Sequence, residues 1–378
     1  MVVYGLDVQQ YGHYASMYYI GYAGMQIPAA WFLVRFSPRY VLCLSAALCG
    51  LSAFASHVVF NWQVLYLSRF LIGVGSAFAF LGVSELITQW FPKDKYARMV
   101  GITFTFGLFG AVYGGRPTAY LIGVTDWHFV LNLIALIHII IALLIFFFVK
   151  SPHQENMVQV KDYIGGLGRL LQNRSMILLS LANLLMVGAL EGFADIWGVT
   201  FLMKAFSVDR AAAATFTSMI FIGMIFGGPI LALISHRVGS NLLVTMSCGV
   251  LLSIIFFFLL NYYHLFESAT IITTMFVVGV LCCYQVLVFA IGIGLIKDPT
   301  MTGMTTAFLN CVNMCGGVLY HNLIGWELSV LQKSELDIVS QYTLQDFVFS
   351  LQCIPIGALI GAGIILIMMY LQHRKEAQ

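Results

Sequence analysis

Charge is what this sequence has least of: only 9% of its 378 residues are Asp, Glu, Lys or Arg, where a soluble globular domain carries about 25%. With 60% of the residues hydrophobic, too little polar surface remains to cover a water-soluble body, which excludes a soluble enzyme. Neither sign of charge dominates. The 18 Lys and Arg stand against 16 Asp and Glu for a net charge of +2, so there is no basic footprint and no nucleic-acid partner is expected. Cys-x-x-Cys pairs are also lacking. The eight cysteines, at 43, 49, 248, 282, 283, 311, 315 and 353, all fall in apolar stretches, which predicts buried packing residues and neither a disulfide framework nor a metal site. No Gly-x-Ser-x-Gly, His-Glu-x-x-His, P-loop or dinucleotide fingerprint occurs, so neither an enzymatic activity nor a cofactor is expected.

What the sequence does have is long apolar runs. A hydrocarbon core about 30 Å thick needs roughly 20 apolar residues of helix. Eleven such runs occur, at 14–34, 40–60, 64–90, 99–122, 129–149, 176–201, 211–234, 241–261, 269–295, 301–328 and 347–371. The longest connection is the polar stretch from Lys150 to Ser175. It divides the chain into a helical half 1–149, a linker 150–175 and a helical half 176–378.

Cationic loops stay on the cytoplasmic side of a membrane. Alternate connections hold Arg35 and Arg39; Lys93, Lys95 and Arg98; Lys150, Lys161, Arg169 and Arg174; Arg237; Lys297; and Arg374 with Lys375. The opposite connections hold only Lys204, Arg210 and Lys333. The distribution, 13 against 3, places the linker and the C-terminus in the cytoplasm and predicts an integral protein of a bacterial inner membrane. Met1-Val2-Val3-Tyr4 carries no cleavable signal.

A single offset of 202 residues aligns Arg35 with Arg237, Lys95 with Lys297, Gly101 with Gly303, Phe106 with Phe308, and Gly114-Gly115 with Gly316-Gly317. It also aligns the apolar runs and the cationic loops, so the two halves read as repeats. At this offset the run 176–201 has no partner in the first half, and the expectation is a twelve-helix design of which this chain starts at the second helix.

Two parallel six-helix halves joined by a cytoplasmic linker resemble the major facilitator transporters. The local residues are similar too. The family's G-x-L-x-D-R-x-G-R loop is matched by Ala30-Trp31-Phe32-Leu33-Val34-Arg35-Phe36-Ser37-Pro38-Arg39 and by Ala232-Leu233-Ile234-Ser235-His236-Arg237-Val238-Gly239, with Val34 and His236 at the acidic position. Arg69-Phe70-Leu71-Ile72-Gly73-Val74-Gly75 resembles the family's R-x-x-x-G-x-G stretch, and Trp90-Phe91-Pro92 before a basic loop is also typical. The resemblance implies an all-α integral membrane fold of two six-helix pseudo-repeats, with eleven transmembrane helices in this chain (family helices 2–6, then 7–12).

A charge near the bilayer centre costs about 2.5–3.5 kcal/mol on insertion scales, so charged residues inside the runs are candidates for function. Glu191 and Asp195 lie four residues apart, a rotation of about 40° on an α-helix, and so share a face. Two carboxyls that close resist being ionised together, which suits a group that binds and releases a proton. The alternative is that Asp195 is solvated at the outer interface and Glu191 caps a break at Gly192. Arg69 offers a guanidinium fork to a carboxylate or phosphate, or reaches out to the headgroups. Arg116, in Gly114-Gly115-Arg116-Pro117, is a candidate partner for Glu191 or Asp195, and Pro117 frees a carbonyl near Tyr113. Gly107, Gly110 and Gly114 form a stripe suited to a close helix contact.

Further candidates for holding substrate are Asn183, Tyr284 and Gln285, with Asn310, Asn313, Tyr320 and His321 as a weaker set. Arg35, Arg39, Glu85 and Arg237 fit a cytoplasmic gate. His138 reads as a satisfied buried histidine, and Asn173-Arg174-Ser175 as a sequon on the cytoplasmic side. The expected activity is secondary active transport of a small polar or anionic metabolite by alternating access, as proton-coupled symport, with protons and membrane lipid as further partners and a monomer as the working unit. Proton-driven efflux of amphipathic compounds, which 14% aromatic residues would permit, and a non-transporting receptor of the same fold are the alternatives.

Overall fold

The structure, a computed structural model, describes residues 6–59, 61–91, 93–150, 160–296, 298, 301–331 and 342–376. Lys297, Lys333, Pro92 and Met1 to Tyr4 lie outside the described residues, as do the side chains of Val34, Lys93, Lys95, Arg98, Lys161 and Lys375. Helices account for nearly all of the described chain, as they must where no water is present to satisfy backbone groups. They are α1 (Val8–Arg35), α2 (Pro38–Val58), α3 (Trp62–Trp90), α4 (Lys93–Gly114), α5 (Arg116–Val124), α6 (Trp127–Phe148), α7 (Val160–Gln172) and α8 (Arg174–Met186). A π-helix (Gly188–Trp197) follows, then α9 (Gly198–Phe206), α10 (Arg210–Val238), α11 (Asn241–Asn261), α12 (Ser268–Cys282), α13 (Tyr284–Ile296), α14 (Thr302–Leu331), α15 (Leu344–Leu351) and α16 (Cys353–Glu376). Among the described residues, eight helical stretches are long and apolar enough to cross a membrane.

The first helix begins earlier than its apolar run. Asp7 accepts from the Gln10 backbone N–H at 2.6 Å and the Gln10 side chain accepts from the Asp7 N–H at 3.1 Å, a capping box that starts the helix ahead of its hydrophobic stretch. The run 99–122 is divided between α4 and α5 at Gly115. Pro117 cannot donate, and the Tyr113 carbonyl it frees accepts instead from Thr118 Oγ1 at 2.7 Å. The polar stretch 150–175 contains a helix, α7, whose Leu170 is fully buried and whose Gly166 sits against Met304 of α14.

Packing follows a simple scheme. α1 lies along both α3 and α14; α2 along α3 and α6; α10 along α12 and against α4 and α5; α11 along α16, and α16 along α8. Close approach depends on particular glycines. A side chain on Gly21 of α1 would run into the Phe70 carbonyl of α3, and one on Gly223 of α10 into the Phe276 carbonyl of α12. These two glycines are themselves 202 residues apart. The larger buried cluster centres on α8, the π-helix and α9, including Phe193, Trp197, Phe201 and Phe256. A smaller one joins Ala29, Leu33, Leu42 and Phe78.

Two expectations need correction. Nothing among the described residues lies within 4 Å of where side chains on Gly107, Gly110 and Gly114 would begin; the close contacts of this bundle are made by other glycines. The cysteines are all free, but Cys315 is exposed and Cys43, Cys311 and Cys353 are only half-buried; an apolar run does not by itself say which of its faces is covered.

Candidate functional site

The segment that carries the two carboxylates is not an α-helix. From Gly188 to Trp197 the backbone widens into a π-helix, an i→i+5 arrangement that is rare and concentrated at functional sites. The local sequence allows it. A side chain on Gly188 would meet Tyr320 Cζ at 2.6 Å and one on Gly192 would meet Tyr320 Cβ at 3.1 Å, so the Tyr320 ring occupies the space the two glycines leave. Its hydroxyl donates to the Leu185 carbonyl at 2.5 Å, just ahead of the wide turn.

Glu191 and Asp195 still share a face, because both reach the same hydroxyl. Tyr19 of α1 hydrogen-bonds through its hydroxyl to Glu191 Oε2 and lies 3.1 Å from Asp195 Oδ2. Glu191 is 8% exposed, whereas the Asp195 side chain is 36% exposed. His321 of α14 is fully buried. Its Nε2 donates to the Glu191 backbone carbonyl at 2.6 Å and stands 3.5 Å from Asp195 Oδ2, and its ring meets the Tyr19 ring edge-on at 5.0 Å.

The cation of this site comes from α3. The Arg69 guanidinium lies 5.2 Å from the ring centre of Tyr18 and 5.7 Å from that of Tyr14, so the charge is held over two aromatic faces. It is close enough to Asp195 to attract it. Arg69 Nε is buried without a hydrogen-bond partner among the described residues, which is uncommon for a buried polar atom and suits a group whose partner is a polar ligand. Carboxylates, an imidazole, a phenol and a guanidinium thus meet where α1, α3, α14 and the π-helix converge.

The other candidates lie around this centre. Tyr284 is fully buried, and its hydroxyl donates to the Asn183 carbonyl at 3.4 Å. The Asn183 side-chain amide and Gln285 Nε2 are buried without partners among the described residues. Asn313 is buried with both amide atoms unpartnered in the same sense. Arg116 is exposed at the start of α5, in a shallow recess it shares with Asp209, Ala212 and Thr215. Arg35 and Arg237 are exposed at the ends of α1 and α10. Arg39 is tied into the α2–α6 contact, donating to the Phe146 carbonyl and lying 4.9 Å from the Phe146 ring centre. Glu85 accepts from Gln89 Nε2 at 3.2 Å. His138 bonds to its own helix, Nδ1 to the Ile134 carbonyl at 2.8 Å, and Asn173 caps α8 by accepting from the Met176 N–H at 3.2 Å.

Sequence reasoning passed over Tyr14, Tyr18 and Tyr19, since aromatic residues on an apolar helix usually pack. A signal was present nonetheless: Tyr11, Tyr14, Tyr18 and Tyr22 recur at steps of three and four, which puts a line of hydroxyls on one face.

A helical bundle built for a membrane, with a buried charged cluster at the meeting of its helices, defines a polytopic integral membrane protein. A family model described as Major Facilitator Superfamily matches residues 1–320, and the chain belongs to that superfamily. It is similar to the "Probable sulfoacetate transporter SauU" of Cupriavidus necator, 25% identical over 159 residues that cover 42% of this chain and 37% of that protein. It is also similar to "Probable anion transporter 7" of Oryza sativa subsp. japonica, 34% identical over 29% of this chain and 25% of the relative. The chain therefore aligns with only 37% and 25% of the length of these two relatives. In fold it resembles a crystal structure of a mutant of the nucleoside transporter NupG, with a TM-score of 0.75 at 15% identity, covering 97% of this chain and 92% of that one. A bacterial homolog of the human lysosomal transporter Spinster, in an inward-facing and occupied conformation, superposes with a TM-score of 0.70 at 16% identity, over 97% and 90% of the two chains.

Proposed function

We propose that the protein is a secondary active transporter that moves a small organic anion by alternating access, as proton-coupled symport. The observation that carries this reading is the cluster of Tyr19, Glu191, Asp195 and His321 beside the Arg69 guanidinium. Arg69 supplies the permanent positive charge and the fork for a carboxylate or sulfonate. Glu191 and Asp195 carry the proton. Asn183 and Gln285 bring buried polar atoms that lack a partner among the described residues, Tyr284 stands beside Asn183, and Arg116 guards the outer recess. Relatives named for sulfoacetate, anions and hexuronate support an anionic cargo.

In this reading residues 1–149 and 176–378 are the moving halves, the linker 150–175 joins them in the cytoplasm, and eleven helical rods span the membrane. α1 against α14 and α10 against α4 and α5 are the surfaces along which the halves rock. Arg35, Arg39, Glu85 and Arg237 act at the cytoplasmic gate. The protein works as a monomer in a bacterial inner membrane, with its C-terminus inside.

The test is uptake in proteoliposomes with glucuronate and sulfoacetate as probes. An inward proton gradient should drive accumulation of at least one. Glu191→Gln should abolish that accumulation while leaving counterflow, because exchange does not require an ionised carboxylate to cross empty. Saturable binding without flux would overturn transport. Normal proton-driven accumulation by Glu191→Gln would overturn the coupling role.

A further inference from the structure

A phenol hydroxyl has one hydrogen to give and lone pairs to accept with. The Tyr19 oxygen lies within hydrogen-bond reach of two carboxyl oxygens, Glu191 Oε2 and Asp195 Oδ2, and one hydrogen cannot point well at both. If both carboxyls were ionised, one would face the hydroxyl's lone pairs, acceptor against acceptor, in a place where an unsatisfied group is costly. If one is protonated, every atom is satisfied. Tyr19 then donates to the carboxylate and accepts from the carboxylic acid.

Among the described residues no other side chain is hydrogen-bonded to either carboxyl. His321, from α14, spends its Nε2–H on the Glu191 backbone carbonyl. Arg69, from α3, lies over the Tyr14 and Tyr18 rings of α1. The Cys282 thiol of α12, the Tyr284 phenol of α13 and the Tyr18 and Tyr22 phenols of α1 are electrostatically coupled to Glu191; Tyr284 donates elsewhere, to Asn183. Arg210, at the start of α10, acts on Tyr11 of α1. The three oxygens therefore share one added proton.

The bridge has a second property: it joins α1 of the first half to the π-helix of the second. We propose that Tyr19 is the latch between proton occupancy and conformation. One proton on the Glu191–Asp195 pair lets the Tyr19 hydroxyl bridge both carboxyls and hold α1 against the π-helix, and loss of that proton breaks the bridge and frees α1. The proposal rests on the proton-coupled reading above. The same hydroxyl gives the proton a route. A proton taken from water by Asp195, the more exposed carboxyl, passes to the Tyr19 oxygen as the Tyr19 hydrogen passes to Glu191. One O–H bond breaks on Asp195, one forms and one breaks on Tyr19, one forms on Glu191, and the tyrosine ends neutral.

The test uses the full chain in lipid nanodiscs, with its native cysteines replaced and spin labels at Gln63→Cys and Ser268→Cys. Both are exposed, at the starts of α3 and α12, which by helix direction lie at the same end of the bundle as the start of α1. Dipolar spectroscopy should show a longer inter-label distance in alkaline than in acid buffer. Tyr19→Phe should lose this shift. Glu191→Gln, whose amide takes the place of the protonated acid, should stay at the short distance throughout. A pH-dependent shift that survives in either variant overturns the latch, as does a parent protein with no shift. Should Tyr19→Phe fail to purify intact, Glu191→Gln decides alone. Proton-driven glucuronate and sulfoacetate uptake by the parent protein is read in parallel: uptake present with an unchanged shift in Tyr19→Phe overturns the latch only, whereas proton-independent uptake overturns the coupling reading beneath it.

Discussion

His321 Nε2 donates to the Glu191 backbone carbonyl at 2.6 Å, so α14 fixes the position of the residue that carries the buried carboxylate. The residue before it does the same one turn earlier, where the Tyr320 hydroxyl takes the Leu185 carbonyl. A π-helix leaves its own ladder irregular, and two consecutive side chains of a neighbouring helix compensate for that. The widened turn is therefore held from outside, which is what a segment needs if its side chains are to meet a partner on another element to within a few tenths of an ångström.

Removing the imidazole should expose that support. His321→Ala removes the side-chain hydrogen bond to the Glu191 carbonyl and leaves it only its place in the π-helix ladder, a net cost of about 0.5–1.5 kcal/mol, read as a lower midpoint of thermal unfolding in detergent. His321→Gln keeps an N–H of similar reach and should recover most of it. Equal midpoints for His321→Ala and the parent would show that the bond does not hold the turn.

Arg69→Lys keeps the charge but loses the planar fork and the stacking over Tyr14 and Tyr18. Charge-assisted hydrogen bonds contribute about 1.5–3 kcal/mol, so affinity for an anionic probe such as glucuronate should fall by about 10–100-fold. Isothermal titration with the two purified proteins checks it, and unchanged affinity would remove Arg69 from the binding site.

The sequence exposed the membrane class, the long helices and the repeat because each rests on many residues at once. Apolar runs of sufficient length leave few alternatives, and the offset of 202 reappears in three dimensions at Gly21 and Gly223. Glu191 and Asp195 were legible because a charge in an apolar run is costly and so stands out. What was not legible depended on contact between distant segments. Tyr19 and Glu191 are 172 residues apart, and nothing in the neighbourhood of either names the other. Repeat-matched positions also diverge in surroundings: Gly316 sits against Val187 and the Leu184 carbonyl, while its match Gly114 meets nothing among the described residues.

The proposed orientation is open to direct labelling. Gln172, at the end of α7, and Ser268, at the start of α12, are both exposed and lie at opposite ends of the bundle by helix direction. As single cysteines in a cysteine-free background, Ser268→Cys should react with an impermeant maleimide on intact cells, and Gln172→Cys only after lysis. Reaction of both from outside would overturn the orientation proposed from the distribution of 13 cations against 3.

The glycines make opposite predictions depending on what they face. A side chain on Gly73 would meet the Tyr18 carbonyl carbon at 2.9 Å and the Tyr22 nitrogen at 3.0 Å, and one on Gly279 would meet the Ile220 carbonyl carbon at 2.7 Å. These are backbone atoms and cannot swing aside, so the helices must separate. Gly73→Ala and Gly279→Ala should each cost about 1–3 kcal/mol, the range for overpacking. Gly73→Ala carries the further penalty of moving α1, and with it Tyr19, away from Glu191, so its proton-driven uptake should fall along with its stability. Gly107→Ala and Gly110→Ala add a methyl where nothing is met among the described residues, and should gain about 0.5–1 kcal/mol from the lower backbone entropy of alanine in a helix. Thermal midpoints of the four variants, measured side by side, should therefore fall on opposite sides of the parent. If Gly107→Ala and Gly110→Ala prove as destabilising as Gly73→Ala, then another surface covers the α4 stripe in the membrane and the contact scheme of the first half is wrong.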